Sequence, residues 1–162
     1  MEFVIREIGR PDLERKAEVV RRSFGSVAEQ LGLDAENSKA LLDGKKTGEE
    51  TDSSDLMFGA YMTVDGKETM VGSAQIVKKC DGVYDLAKLA VLPGYRHQGI
   101  GRALIEYGCD YARKAGCCKL TITIIEANTV LKNWYLKLGF KHVGTTKYTH
   151  LPYTVGFMEY DL

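Results

Sequence analysis

Apolar positions change their period several times along the chain, and each change marks an element. Residues 3–8, FVIREI, read as a first strand. Asp12 is placed to cap a helix, and Pro11 limits extension backwards. Leu13, Ala17, Val20, Phe24, Val27 and Leu31 then recur at helical spacing, with Gly32 as the stop. A second short helix is predicted over 35–42. Residues 43–55, DGKKTGEETDSSD, hold no apolar side chain and cannot pack a core. They predict a loop, either plainly solvated or closing over a substrate.

The pattern then turns to strands. Residues 56–64 and 68–77 flank Asp65-Gly66, a dipeptide suited to a hairpin turn. After Asp81-Gly82, residues 83–92 are nearly continuous in apolar character, as a central strand requires. Pro93-Gly94 makes a tight loop. Residues 99–115 follow as a helix with Ile100, Leu104, Tyr107 and Tyr111 on one stripe, closed by Gly116. Residues 119–125, KLTITII, are a β-branched strand. Leu131, Trp134, Tyr135 and Leu138 define a short helix over 130–138, and Gly139 is its natural end. Two strands, 141–148 and 154–160, complete the order β-α-(α)-β-β-β-α-β-α-β-β. Three successive strands before the next helix indicate a mixed α/β (α+β) sheet rather than a doubly wound one.

Composition narrows the class. A chain of 162 residues fits one domain, 1–162, and 44% hydrophobic with 27% charged residues is ordinary globular composition. No apolar run approaches the roughly 18 residues of a membrane span, and no signal-peptide segment opens the chain. Basic and acidic residues balance at 22 each, which argues against nucleic acid as a partner. The halves differ: residues 1–81 hold 12 basic and 16 acidic side chains, residues 82–162 hold 10 and 6. A polyanionic small molecule is thus better served by the second half. Cys80, Cys109, Cys117 and Cys118 form no C-x-x-C pair and no metal spacing with His97, His142 or His150. They predict reduced thiols, a cytoplasmic setting and no metal.

The chemistry concentrates in residues 89–102, LAVLPGYRHQGIGR. A strand ends, the chain turns, and a helix starts among glycines. Helix N-termini carry unpaired N–H groups and partial positive charge, so they hold phosphates. Gly99 and Gly101 let backbone amides approach an anion, and Arg96 offers a guanidinium fork to phosphate oxygens. A Walker A string is absent. The dinucleotide fingerprint fails at Leu104, and no acidic residue stands about 20 positions on.

Arg96-His97-Gln98-Gly99-Ile100-Gly101 matches the [RQ]-x-x-G-x-[GA] acyl-CoA signature, and the chain here resembles the GNAT superfamily of N-acetyltransferases. Residues 89–93 look like that family's fourth strand. Asn128 through Phe140, NTVLKNWYLKLGF, is similar to its N-x-x-A-x-x-F-Y-x-K-x-G-F segment, with Leu131 and Trp134 departing in size. The resemblance implies a mostly antiparallel sheet of six to seven strands with about four helices, splayed between the fourth and fifth strands. It implies acetyl-CoA as co-substrate. The pantetheine arm would lie along Leu89, Ala90 and Val91, and the pyrophosphate on the amides of His97, Gln98, Gly99, Ile100, Gly101 and Arg102. Asn128 would bond the arm. Tyr135 would be the general acid near the thioester sulfur, and a backbone N–H near Val91 would stabilise the oxyanion. Asp85 falls where some members carry a catalytic glutamate; Glu126 is a second candidate base. The acceptor would be a primary amine of a small molecule or peptide. Three alternatives stay open: a protein lysine or N-terminal acetyltransferase, a CoA-binding sensor without turnover, and a nucleotide-binding protein. Family members are often homodimers.

Overall fold

The computed structural model describes residues 2–30, 32 and 54–162. Seven strands form one sheet: β1 (Val4–Glu7), β2 (Ser54–Val64), β3 (Lys67–Cys80), β4 (Val83–Val91), β5 (Lys119–Ile125), β6 (Lys141–Lys147) and β7 (Thr154–Asp161). Their spatial order is β1-β2-β3-β4-β5-β7-β6. Every neighbouring pair is antiparallel except β4 with β5. The three α-helices of the described residues are α1 (Leu13–Gln30), α2 (Ile100–Lys114) and α3 (Thr129–Lys137). The helix predicted over 35–42, and most of the loop predicted over 43–55, lie outside the described residues. Ser54 and Asp55, placed in that loop by composition, already belong to β2.

Strand alternation sorts the two faces. Phe58, Ala74, Ile76, Leu86, Leu120, Ile122 and Ile124 pack with Ile100, Leu104 and Ile105 of α2 in the main core. Helix α2 comes down close at Gly108, where a Cβ would lie 3.2 Å from Ile76 and 3.3 Å from Leu86. The opposite face carries α1, with Ile8, Val19, Tyr61, Met70, Ala90 and Leu92 in a smaller cluster.

The observed face of α1 differs from the predicted stripe. Lys16, Val19, Ser23, Phe24 and Ala28 are buried, whereas Leu13 is 41% exposed and Ala17 is exposed. The helix is rotated because two polar residues point inward and find partners there. Lys16 donates to Gln75 of β3 at 2.8 Å, and Ser23 meets Arg96. A stripe read from apolar residues alone cannot see such bonds. Asp12 ends a short 3-10 turn before α1, and its carboxylate accepts the Tyr61 hydroxyl at 2.9 Å.

Candidate active site

The parallel ladder between β4 and β5 is short. It runs Val83↔Lys119, Tyr84↔Leu120, Asp85↔Thr121 and then stops. Beyond it each strand keeps its outer neighbour: β4 stays on β3 as far as Gly72↔Val91, and β5 stays on β7 as far as Ile125↔Val155. The sheet therefore opens into a fork between residues 86–91 and 122–125. Backbone groups on the inner edge of β4 leave the ladder at Asp85, and such groups need partners. A bulge deepens the change. Between Gln75↔Ala87 and Ser73↔Ala90, β4 has one residue more than β3, and Lys88 there has φ +52°.

At the mouth of the fork, a 3-10 turn, Pro93–Tyr95, leads to the start of α2. His97 and Gly99 both have positive φ, +64° and +84°, so the chain curls tightly just ahead of the first helical amides. Gly99 is the N-cap, and no atom lies within 4 Å of where its Cβ would be. That open, amide-rich turn fits a diphosphate. His97, Gln98 and Arg102 are exposed, and Arg102 pairs with Glu106 at 3.1 Å. Gly101 is confined for a different reason. A Cβ there would lie 3.1 Å from the ring of Trp134 and 3.8 Å from Val91, so α3, α2 and β4 converge on it. The larger Trp134 thus closes onto the missing side chain of Gly101.

Arg96 was expected to face phosphate, but its guanidinium points at α1. It donates to the Val91 carbonyl at 3.1 Å, the Ser26 hydroxyl at 3.3 Å, the Ser23 carbonyl at 3.3 Å and the Ser23 hydroxyl at 3.1 Å. Four of its five N–H donors are engaged in this way. Its side chain ties the glycine turn and the end of β4 to α1.

Tyr135 is 5% exposed and packs between Trp134 and Phe140, at ring separations of 5.1 and 5.3 Å. It shares the main core with residues of both limbs of the fork, among them Leu86, Ile122 and Ile124. Burial alone pushes its phenol well above the ordinary tyrosine value, so it keeps its proton at neutral pH. Asn128 caps α3 by accepting the Leu131 N–H at 3.3 Å, which fixes the side chain and leaves its NH2 group free of that bond.

The structure separates the two candidate bases. Asp85 lies at the closed end of the fork on the α1 face, half-buried, and accepts the Thr121 hydroxyl at 2.6 Å. Glu126 follows the parity of Ile122 and Ile124, on the other face. Its carboxylate is bridged by Lys132 of α3 at 2.6 Å and His142 of β6 at 2.8 Å. Those two hydrogen bonds hold its carboxyl below the ordinary range. Gly156 of β7 makes the room, because a Cβ there would run into the Glu126 carboxylate. Glu126 is thus a buckle joining β5, α3, β6 and β7. Thr121, His142 and Gly156 were not singled out as site residues in the sequence: they act across strand register, and no local motif marks them.

On the α1 face the fork opens into a cleft of about 510 Å³. Its walls come from β3, β4, β5, the 148–153 turn and β7, and they include Asp85, Lys88, Thr123, His150 and Tyr153. Among the described residues no His/Cys/Asp/Glu group is arranged to hold a metal ion, and no helix is long and apolar enough to cross a membrane.

Comparison with known proteins agrees with this geometry. A streptothricin acetyltransferase of Streptomyces lavendulae is 34% identical over 56 residues, 35% of this chain and 30% of the relative. The ribosomal protein bS18 alanine N-acetyltransferase of Escherichia coli is 30% identical over 95 residues, 59% of this chain and 62% of the relative. The chain thus spans less than two thirds of the length of these relatives. Among solved structures, the PaiA N-acetyltransferase from Thermoplasma acidophilum, in complex with coenzyme A, superposes with a TM-score of 0.79 at 23% identity, covering 100% of both chains. That likeness shows the fold. The model of the acetyltransferase (GNAT) family matches residues 28–140, and the chain belongs to this family.

Proposed function

We propose that the protein is an N-acetyltransferase that moves the acetyl group of acetyl-CoA to a primary amine by direct attack on the thioester. The observation that carries this reading is the fork. A central strand pair stops at Asp85↔Thr121, stays open beyond it, and is headed by a glycine-capped helix N-terminus. An extended thioester-bearing arm fits the free edge of β4 at Leu89, Ala90 and Val91. The diphosphate fits the amides from His97 to Arg102, with Arg96 positioning that turn from behind. Bound there, the thioester presents its carbonyl to backbone N–H groups of β4, which would offset the charge on the tetrahedral oxygen.

Proton movements follow from the environments. Asp85, held by Thr121, is the better placed base because it faces the cleft from which the amine arrives. Aspartate is short, so a water relay between amine and carboxylate suits it. Glu126 faces the other side of the sheet and is engaged by two partners, which removes it from that role. Tyr135 serves the departing thiolate. A free thiol titrates near 8.5 and an unperturbed phenol near 10. Burial widens that gap, so the phenol donates a hydrogen bond to sulfur rather than surrendering its proton outright.

Relatives that acetylate streptothricin and a ribosomal-protein alanine support both small-molecule and peptide amines as acceptors. The direct test is release of free thiol from acetyl-CoA over a panel of amines. Turnover that needs both partners is expected. A protein that binds acetyl-CoA yet releases no thiol with any amine would be a CoA-binding sensor instead.

A further inference from the structure

The floor of the cleft on the α1 face contains a polar side chain that is held at one end only. Gln75 of β3 lines the cleft with Val77, Asp85 and Ala87, while Ala74 and Ile76 enter the core under α2. Gln75 is 2% exposed, and Lys16 of α1, 7% exposed, donates to its Oε1 at 2.8 Å. An ammonium group can only donate, so this bond fixes which end of the carboxamide faces α1. The oxygen is turned to Lys16, and the NH2 group is left on the cleft side. Ser73, the preceding β3 residue on that face, does not take it, because Ser73 Oγ has no hydrogen-bond partner among the described residues. Gln75 Nε2 makes no hydrogen bond among the described residues either, yet it is not sealed off as the Ser73 oxygen is. We propose that Gln75 is a specificity residue, whose NH2 group donates to a carbonyl oxygen carried close to the amine of the acceptor. This rests on the acetyltransferase reading above.

Position and chemistry together select the partner. In the ladder between β3 and β4, Gln75 stands opposite Ala87, and Val77 stands opposite Asp85 on the same face. Gln75 and Asp85 are therefore diagonal neighbours, about 7–8 Å apart along such a ladder. An amine turned to Asp85 thus has its neighbouring carbon atoms within reach of the Gln75 NH2 group, and the small Ala87 between them leaves room. A carbonyl oxygen suits that donor because it accepts and brings no proton of its own to satisfy. An alkyl group in its place would leave a nearly buried donor unpaired, which costs free energy. Val77, Ile125 and Tyr153 supply apolar wall around these groups. A volume of about 510 Å³ lies within the range for small-molecule sites.

Glycine dimethylamide and 2,3-dimethylbutylamine test this, since they share one shape and differ in the carbonyl group. The readout is the ratio of their kcat/KM values at saturating acetyl-CoA, compared between the wild type and Gln75→Glu. Amine basicity enters both proteins alike and cancels from that comparison. The Gln75→Glu carboxylate still accepts from Lys16, so the packing is kept, but it offers the carbonyl no N–H. The preference for the carbonyl-bearing amine is expected to fall about tenfold, a difference of about 1.4 kcal/mol, with acetyl-CoA affinity unchanged. Gln75→Met, which lacks the N–H and adds no charge, is expected to act in the same way. A fall smaller than about threefold in either variant would make Gln75 a structural partner of Lys16 and overturn the proposal; a larger fall in both supports it. If no amine releases thiol, the acetyltransferase reading fails instead, and calorimetry with the same pair on the protein itself judges Gln75. Tighter binding of the carbonyl-bearing amine that Gln75→Glu abolishes would support the contact, and any other pattern would overturn it.

Discussion

The two sides of the fork are built differently. The proposed cofactor side comes from two contiguous stretches, residues 89–102 and 128–140, that meet where Trp134 closes on Gly101 beside Val91. The proposed acceptor side takes single residues from four strands and a turn, and one of them, Lys88, sits at a bulge in β4. A contiguous stretch can be held by local rules such as a glycine cap, a helix end or an apolar stripe. A dispersed cleft depends on long-range pairing, so it can change partners while the fork stays intact.

The largest effect should come where the two sides meet. Tyr135→Phe removes the proposed donor to the leaving sulfur, and kcat is expected to fall about 10²- to 10⁴-fold. The acetyl-CoA Kd should stay within about twofold, because the ring and its packing remain. A parallel loss of affinity would make Tyr135 a binding residue and erase its separate role.

Next comes the buckle behind the fork. Gly156→Ala forces a methyl group onto the Glu126 carboxylate and to within 3.0 Å of Ile124. A loss of about 1–3 kcal/mol of stability is expected by denaturant unfolding. Glu126→Ala should relieve most of it, and a double-mutant cycle reads the coupling. The same carboxyl gives an acid signature. Its folded pKa lies below the ordinary 4.5 because Lys132 and then His142 hydrogen-bond to it. Its stabilisation is therefore present above about pH 4.5 and lost as pH falls through the lowered value. Glu126→Gln should flatten that part of the stability curve.

Arg96→Ala tests the boundary between the sides. Removing four hydrogen bonds to Val91, Ser23 and Ser26 is expected to cost the free protein about 1–3 kcal/mol. A residue serving only as a phosphate ligand would leave the free protein as stable as before. The smallest effect is reserved for Ser73, whose hydroxyl is fully buried with no hydrogen-bond partner among the described residues. Ser73→Ala should be neutral or stabilising by up to about 1 kcal/mol; a clear loss would reveal an unseen partner for that oxygen.

These contrasts also explain what the amino-acid string reveals. Strand and helix order and the glycine turn follow from local pattern, whereas the fork between the fourth and fifth strands and the role expected of Tyr135 come from the family resemblance that residues 96–101 and 128–140 carry. The inward face of α1 does not, since Lys16 and Ser23 are held by partners more than 50 residues away. Arg96 reads as a phosphate ligand because its neighbours are glycines, yet Ser23 and Ser26 decide where it points. Glu126 and Asp85 both read as bases; only strand parity puts them on opposite faces. Lys88 lies within the run predicted as one continuous strand over 83–92, and the bulge that brings it to the cleft wall has no local signature.

The most direct measurement of the central claim is a thermal-shift titration with acetyl-CoA beside NAD and ATP. A ligand at 100 times its Kd adds about 2.7 kcal/mol, which for a chain of this size raises Tm by roughly 5–10 °C. A rise with acetyl-CoA alone is the expected result. A flat acetyl-CoA curve beside a rise with NAD or ATP would contradict the account of the fork and its glycine turn.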